Sequence, residues 1–250
     1  MTADRFADWM AALEARHLAD LTFREVSRAL VALSSAYVER RARLAAGAAW
    51  DGAGKRAAFA LFYGPLHFLL LREILSRIEG AARPRRRLAD LGCGTGAGGA
   101  AWAALTPVPT SILGIDRHPW ALAEAAWTYG RFGTGSRMWQ GDLASVSLPT
   151  SPCGIVVAFT ANEMTAAARA VLLHRLVEAA SRGDAVLVVE PIARRMSPWW
   201  DEWSEAFRAI GGRADEWRFR VELPAIVAKL DRAAGLNHGE LTGRSLWLPG

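Results

Sequence analysis

Apolar residues in the first third of the chain recur in three- and four-residue steps. Phe23, Val26 and Leu30 follow this period, which places them on one face of a helix. Thr22 and Glu25 have the spacing of a capping box, so we predict that the helix begins at Phe23. The apolar face indicates either a helix packed on its neighbours or part of a substrate-recognition module.

A second helical stretch follows a loop at residues 47–54. It is interrupted at Gly64-Pro65, because proline lacks the amide that a helix interior needs, and it resumes through Leu75. The run Arg83-Pro84-Arg85-Arg86-Arg87 then marks a boundary. Residues 1–82 are therefore predicted to form a helical N-terminal domain.

From residue 83 onward, short apolar runs alternate with helical periods, which is typical of a parallel β-sheet with helices on both faces. Strands are predicted at residues 87–91, 111–116, 136–140, 154–159 and 184–190. The helices between them are predicted at about residues 96–105, 119–130 and 165–182. After the fifth strand comes an insertion near 192–223, with a tryptophan-rich segment at 198–212 and an extended piece around 217–223. A helix at about 224–234 and an antiparallel hairpin that pairs 237–242 with 244–248 around Gly243 follow. Residues 83–250 are thus predicted to form one α/β domain.

Composition narrows the class of protein. The 250 residues are 52% hydrophobic, enough to bury a full core, and the net charge of +5 favours an acidic partner such as RNA. Most of the basic residues are arginines, so the positive charge is also explained by a bias in amino-acid composition. Cys93 and Cys153 are the only cysteines, so we expect no metal cluster and a reducing, cytoplasmic setting. The apolar run Ala57–Leu71 is too short for a membrane span, and we expect neither a secretory signal nor a membrane partner.

The first predicted strand runs into a glycine-rich turn that opens a helix. Asp90 precedes Gly92, Gly94 and Gly96 in the pattern Asp-x-Gly-x-Gly-x-Gly. Glycine lets the backbone approach a ligand closely, and the helix amides that follow point at that ligand. The spacing departs from the dinucleotide fingerprint G-x-G-x-x-G, and the lysine of a P-loop is absent. The segment resembles motif I of class I S-adenosylmethionine-dependent methyltransferases.

The next two strands end in acids. Asp116 follows the glycine loop by about 20 residues, where a carboxylate can accept both hydroxyls of a ribose, although it can also cap the next helix. The resemblance implies that Asp142 contacts the adenine amino group; the alternative is a turn residue. Asp90 either touches the cofactor or bonds loop amides. The predicted cofactor-binding residues are Asp90, Gly92, Cys93, Gly94, Gly96, Asp116, Arg117, Asp142, Leu143 and Phe159.

The fourth strand delivers Asn162 and Glu163, the candidate catalytic residues, to the same edge of the sheet. Methyl transfer from a sulfonium depends mainly on placing the nucleophile, and a base is needed only where the acceptor must lose a proton. Asn162 is suited to hold an acceptor and Glu163 to take its proton, or both cap the next helix. The predicted substrate-binding residues are Tyr63 and His67 as a lid, and Arg194, Arg195, Trp199 and Trp200, which either stack bases and hold phosphates or form a hydrophobic plug.

The resemblance implies a Rossmann-like class I methyltransferase sheet of five parallel strands plus a C-terminal antiparallel hairpin. The order of several segments also resembles the methyltransferase-like family associated with assembly of the small ribosomal subunit, which would imply an rRNA or ribosomal partner. The segments are Phe23-Arg24-Glu25, Tyr63-Gly64-Pro65-Leu66, Ala101-Trp102-Ala103-Ala104 and Asn162-Glu163-Met164. The iron–sulfur cysteine cluster typical of that family has no counterpart, because no cysteine follows Cys153.

Three functions are compatible with these features. The leading hypothesis is an S-adenosylmethionine-dependent methyltransferase whose acceptor is rRNA or another component of the small ribosomal subunit. The second is a methyltransferase that acts on a small molecule beneath a helical lid. The third is an assembly factor that binds S-adenosylmethionine without catalysis. The ligand would then serve only to stabilise the fold, because a ligand selective for the folded state stabilises that state.

Overall fold

One sheet organises the part of the chain that the structure, a computed structural model, describes: residues 2–39, 51–143, 145, 147–149, 152–193, 195 and 197–250. Among these residues the sheet has seven strands in the order β3-β2-β1-β4-β5-β7-β6. The strands are β1 Arg87–Leu91, β2 Ser111–Asp116, β3 Gly135–Gln140, β4 Gly154–Ala158, β5 Ala185–Glu190, β6 Arg213–Phe219 and β7 Leu241–Leu248.

The helices lie before the sheet and between its strands. They are α1 Thr2–His17, α2 Phe23–Glu39, α3 Ala53–Ala58, α4 Gly64–Arg77, α5 Ala97–Leu105, α6 Pro119–Arg131, α7 Ala166–Ser181, α8 Trp200–Ala209 and α9 Ala225–Ala233. The predicted bounds of the first five strands and of the helices between them are confirmed to within one residue. The capping box is also confirmed: the amide of Thr22 donates to Glu25 at 2.8 Å, and the amide of Glu25 donates to Thr22 at 3.3 Å.

The prediction of a C-terminal hairpin around Gly243 is wrong. β7 runs through Gly243 without a turn and pairs antiparallel with β5 on one side and with β6 on the other. β6 precedes β7 by a whole helix, α9, so no tight turn joins them and β7 alone runs against its neighbours. A Cβ at Gly243 would lie 3.0 Å from Leu70, so this glycine marks close packing of α4 on the strand.

The predicted break at Gly64-Pro65 is also wrong. The helix continues from Ala53 to Arg77, and a π-helical segment, Phe59–Tyr63, lies immediately before Gly64. A π turn shifts the backbone pairing by one residue, which accommodates the missing amide of Pro65 at the second position of α4. This helix is long and apolar enough to cross a membrane, but 78% of its most apolar window is buried inside the protein.

The sheet buries a hydrophobic cluster on each face. The first cluster joins the N-terminal helices to the sheet, because Trp9 and Leu30 share it with Leu88, Trp102 and Trp247. The second contains α7, α8 and the tryptophans Trp199, Trp200 and Trp203. Each fully buried large side chain contributes about 1.5–3 kcal/mol, so the helical segment is held to the sheet by a shared core.

Candidate functional site

The glycine loop is fixed to the end of β2. The amides of Gly92 and Cys93 both donate to the carbonyl of Ile115, at 2.8 and 2.9 Å. The amide of Gly94 donates to the carboxylate of Asp116 at 3.0 Å. These bonds bring the loop after β1 and the acid after β2 together at the carboxyl edge of the sheet, where ligands bind in folds of this kind.

The glycines of the loop have different surroundings. A Cβ at Gly92 would lie 2.3 Å from Thr160, and at Gly96 it would lie 2.9 Å from the Cα of Ala125. Close packing therefore requires glycine at both positions, against the Thr160 side chain at Gly92 and against the backbone of α6 at Gly96. At Gly94 a Cβ would meet nothing within 4 Å, so this residue faces the open space into which a ligand can enter.

Asp116 is bonded to backbone on both of its carboxylate oxygens. Besides the bond from Gly94, it accepts the amide of His118 at 2.9 Å. It is not the side-chain cap of α6, because the ring of His118 accepts the amide of Trp120 at 3.2 Å and fills that role. The carboxylate is half-buried and is held rigidly beside the open face of the loop.

Asp90 has the structural role that the sequence left open. Its side chain is buried and accepts the amide of Gly99 at 2.6 Å and the hydroxyl of Tyr129 at 2.8 Å. Burial raises the pKa of Asp90 to about 7, against the lowering effect of these two bonds. Asp90 therefore ties two helices to β1: the first turn of α5 through Gly99, and α6 through Tyr129. Cys93 is a buried free thiol, and burial raises its pKa.

The loop after β3 joins the same edge. The amide of Gly141 donates to the carbonyl of Asp116 at 3.1 Å, which places Asp142 beside the glycine loop with an exposed side chain. Leu143 buries its side chain in the core, and its carbonyl accepts from Arg175 at 2.9 Å. Arg117 is exposed, and its carbonyl accepts from Gln140 at 3.1 Å. The structure thus brings the predicted cofactor-binding residues that follow β1, β2 and β3 together at three neighbouring strand ends.

Phe159, the residue directly after β4, has an unusual conformation. Its φ is 56°, in the left-handed region that non-glycine residues rarely adopt. Its amide donates to Val189 at 2.8 Å, and its ring stacks on His67, with centroids 3.9 Å apart and planes at 19°. Strain of this kind persists where surrounding structure imposes it, and it is concentrated at functional sites.

Asn162 belongs to a network that the sequence did not reveal. Its side-chain amide donates to the carboxyl of Glu190 at 2.7 Å, its backbone amide donates to the same group at 3.2 Å, and its oxygen accepts the indole N–H of Trp199 at 3.0 Å. Glu190 is completely buried, and burial raises its pKa to about 8. The sequence signal that could have revealed this network is the acid at the end of Ala185–Glu190, a strand whose other residues are all apolar. Asn162 is therefore held by protein groups on both sides of its amide.

The remaining predicted residues are divided between the site and the core. Glu163 is exposed and lies within electrostatic reach of Asp116 and Arg117. Trp199 and Trp200 are buried in the second cluster, so the hydrophobic-plug alternative describes them. Arg195 is exposed, and Arg194 lies outside the described residues.

The π segment and α4 cross the sheet edge above these groups. A Cβ at Gly64 would lie 3.0 Å from the hydroxyl of Thr95 in the glycine loop, and Leu70 packs on β7. Tyr63 immediately precedes the first contact, and His67 lies between the two. Burial raises the pKa of Tyr63 to about 12, and burial with the nearby His238 lowers the pKa of His67 to about 3. Both side chains are therefore uncharged near neutral pH. No group of three or more potential metal ligands occurs among the described residues.

Solved structures share this architecture. A SAM-dependent methyltransferase from Leishmania major matches with a TM-score of 0.50 and 14% identity over 78% of this chain and 76% of that one. A protein from Nostoc punctiforme, provisionally described as an O-methyltransferase, matches with a TM-score of 0.51 and 12% identity over 78% of this chain and 59% of that one. The N-methyltransferase NodS from Bradyrhizobium japonicum, crystallised with S-adenosylhomocysteine, gives 0.47 and 14% over 72% of this chain and 86% of that one.

These likenesses establish the fold of the chain. Strand order, the single reversed strand β7 and the glycine loop after β1 are those of the class I methyltransferase fold, which the sequence predicted apart from the pairing of the last strands. Neither a protein-family profile nor a curated protein sequence matches the chain.

Proposed function

We propose that this chain is an S-adenosylmethionine-dependent methyltransferase. The observation that carries the proposal is the convergence of Gly94, Asp116 and Asp142 at three neighbouring strand ends, with open space over Gly94. A rigid carboxylate beside an exposed glycine backbone suits a ligand with ribose hydroxyls and a polar chain. The shared fold with a SAM-dependent methyltransferase supports the same conclusion.

The chain's own residues suit this cofactor in defined ways. The carboxylate of Asp116 would accept the ribose hydroxyls, the loop around Gly94 would pass beneath the amino-acid portion, and Asp142 would face the adenine. When bound, S-adenosylmethionine supplies a methyl group on a positively charged sulfur, and S-adenosylhomocysteine remains after transfer. The stacked rings of Phe159 and His67 would help to exclude water from a bound cofactor, because Phe159 follows β4, the neighbour of β1.

For the acceptor we propose a small molecule, with the cytoplasm as the place of action. The π segment and α4 cover the sheet edge, and Trp199 and Trp200, which would otherwise stack bases, are buried. A sheet edge covered by a helix leaves less room for a polyanion than for a compact acceptor. An rRNA or ribosomal acceptor is supported by the net charge of +5 and is the main competing outcome of the test below.

Cofactor binding is tested by calorimetry with S-adenosylhomocysteine. We expect binding by the wild-type chain and at least tenfold weaker binding by Asp116→Ala. Asp201→Ala, which removes an exposed carboxylate on α8, is the matched control and should bind like wild type. Equal affinity of all three proteins would remove Asp116 from the site.

The acceptor is tested by incubating host lysate with methyl-tritiated S-adenosylmethionine and separating small ribosomal subunits, other macromolecules and small metabolites. We expect label in the metabolite fraction. Label in ribosomal RNA or protein would overturn the small-molecule acceptor but keep the methyltransferase. No label in any fraction, with tight cofactor binding, would indicate the non-catalytic assembly factor.

A further inference from the structure

The amino edge of the sheet, where the parallel strands begin, carries a cluster of arginines that the proposed function does not use. The run Arg83-Pro84-Arg85-Arg86-Arg87 leads into β1, whose first residue is Arg87. Arg182 follows α7 and reaches the same edge. Burial raises the pKa of the Cys153 thiol just before β4, and Arg87 and Arg182 both lie close enough to that thiol to oppose the rise. Arg83, Arg86, Arg87 and Arg182 are exposed and Arg85 is half-buried; these five residues are called the arginine edge below.

Arg85 ties this cluster to the strands around it. Its guanidinium donates to the carbonyls of Gly80, Arg83 and Pro249 at 3.1, 3.2 and 3.1 Å. A Cβ at Gly154, the first residue of β4, would lie 3.1 Å from the Cδ of Arg85. Because Pro249 follows β7, the arginine edge borders the start of β1, the start of β4 and the end of β7.

At least three of the five positive charges have no bonded counter-ion. In the part of the chain that the structure describes, no carboxylate oxygen lies within 4.0 Å of a guanidinium nitrogen of Arg83, Arg85 or Arg86. Arg182 pairs with Glu178 at 3.2 Å. Burial lowers the pKa of Arg85, and the positive charge of Arg83 lowers it further, which shows how closely the charges are crowded. Like charges held together in this way attract a polyanion.

The chemistry of the edge favours the phosphates of a nucleic acid over a membrane surface. Guanidinium groups form bidentate bonds with phosphate oxygens, and serine hydroxyls also contact phosphates. Ser111, exposed at the start of β2, places its hydroxyl beside Arg86, because it donates to the carbonyl of Arg86 at 3.4 Å. Helices that lie on membranes add apolar side chains that enter the lipid. The large apolar side chains that are exposed among the described residues lie outside the arginine edge, at Phe23, Val31, Trp139, Val171 and Ile210.

The shape of the edge favours a single strand. Neighbouring strands lie about 4.8 Å apart and sheets twist, so a row of charges along the strand starts is curved. Duplex DNA is stiff over about 150 base pairs, whereas a single strand bends to follow such a row. Contacts limited to phosphates carry no sequence information, so we expect an affinity that depends on salt and not on the order of bases.

We propose that the arginine edge docks single-stranded RNA through its phosphate backbone. RNA is the single-stranded polyanion of the proposed cytoplasmic setting. β1 and β4 each have five residues, which at about 3.3 Å per residue separates this edge from the carboxyl edge by about 17 Å. RNA bound here leaves Gly94 and Asp116 open and is not the methyl acceptor. It would bring the protein to an RNA-containing assembly while the small-molecule site stays accessible.

The test measures binding of a fluorescein-labelled oligouridylate by fluorescence anisotropy over a series of salt concentrations. The edge variant combines Arg83→Gln, Arg86→Gln and Arg87→Gln. The control variant combines Arg24→Gln, Arg208→Gln and Arg220→Gln, which removes the same charge from exposed arginines on α2, on α8 and after β6.

At physiological salt we expect the edge variant to bind the oligouridylate at least tenfold more weakly than wild type. The slope of log affinity against log salt should fall by about 2, because each neutralised phosphate of a single strand contributes about 0.7. The control variant should bind like wild type. Binding of S-adenosylhomocysteine, measured by calorimetry, should be the same in wild type and edge variant, which controls for folding.

Three outcomes would overturn the inference. Equal weakening in the two variants would mean that net charge, and not the arginine edge, drives binding. The other two are failure of the wild type to bind the oligouridylate at physiological salt, and tighter binding to phosphatidylserine vesicles than to the oligouridylate. If Arg87→Gln disturbs β1, the double variant Arg83→Gln and Arg86→Gln carries the comparison. Failure of the wild type to bind S-adenosylhomocysteine would overturn the proposed function alone, because RNA docking does not use the cofactor site.

Discussion

The carboxyl edge of the sheet has two halves that are built differently. The half that we propose to bind the cofactor, called the cofactor half below, comprises the ends of β1, β2 and β3, and its acids bond backbone amides close by in sequence, 9 residues away for Asp90 and Gly99 and 22 for Asp116 and Gly94. The half that we propose to bind the acceptor, called the acceptor half below, comprises the ends of β4 and β5 and the start of β7, beneath the π segment and α4. Its groups bond one another side chain to side chain, 28 residues apart for Asn162 and Glu190 and 37 for Asn162 and Trp199, whereas in the cofactor half a bond of this range, from Tyr129 to Asp90, is added to the bonds with backbone amides.

The difference shows that the geometry of each half has a different origin. In the cofactor half, geometry follows from a strand, a glycine turn and a helix, which a short motif encodes. In the acceptor half, side chains from four distant segments meet, so its chemistry depends on packing of the whole fold. Variation in the acceptor half can therefore change the substrate while the cofactor half is kept.

The largest expected effect is at Gly92, where the two halves touch. Gly92→Ala would place a Cβ 2.3 Å from Thr160 at a φ of 69°, and we expect a loss of about 2–4 kcal/mol in the free energy of unfolding from overpacking and backbone strain. Gly94→Ala has open space at its Cβ and should lose only about 1 kcal/mol. Urea denaturation of both variants measures the contrast. Equal losses would show that Gly92 does not join the halves.

The buried acid of the cofactor half gives the next effect. Tyr129→Phe removes the 2.8 Å hydroxyl bond to Asp90, and we expect a loss of about 1–3 kcal/mol because the acceptor is a buried carboxyl. The pKa of Asp90 is already raised to about 7, and the variant raises it further. The loss should therefore be greater at pH 8 than at pH 5, in urea denaturation at each pH. A loss independent of pH would mean that the hydroxyl does not stabilise the ionised acid.

Glu190 tests the acceptor half in the same way. Its pKa is raised from 4.5 to about 8, so the folded state holds a proton that the unfolded state releases, and this contribution to stability falls as pH rises from about 4.5 through 8. Glu190→Gln leaves Asn162 one acceptor oxygen fewer and should cost about 1 kcal/mol at pH 5. That cost should shrink or reverse toward pH 8.5, because the variant does not titrate. Parallel wild-type and variant stability curves over this range would contradict the prediction.

The cofactor half could be predicted from the sequence far better than the acceptor half. The alternation of strands and helices placed Asp116 and Asp142 at their strand ends, since parallel strands end at one edge whatever packs on them. The role of Asp90 required Tyr129, which packing alone brings to it. Glu190 shows no local motif, and the hairpin prediction failed because the pairing of β6 with β7 spans α9, which no turn residue signals.

The smallest expected effect lies at Thr160, the acceptor-half side of the same junction. Its hydroxyl bonds to the carbonyls of Gly92 at 3.2 Å and Ala158 at 3.0 Å. Thr160→Val keeps the shape that packs on Gly92 but loses both bonds, and we expect a loss of about 0.5–1.5 kcal/mol in urea denaturation. Thr160→Ser keeps the hydroxyl and should lose less. We expect steric fit to hold the two halves together more strongly than this polar bond does. A Thr160→Val loss as large as that of Gly92→Ala would contradict this expectation and would mean that hydrogen bonding holds the junction.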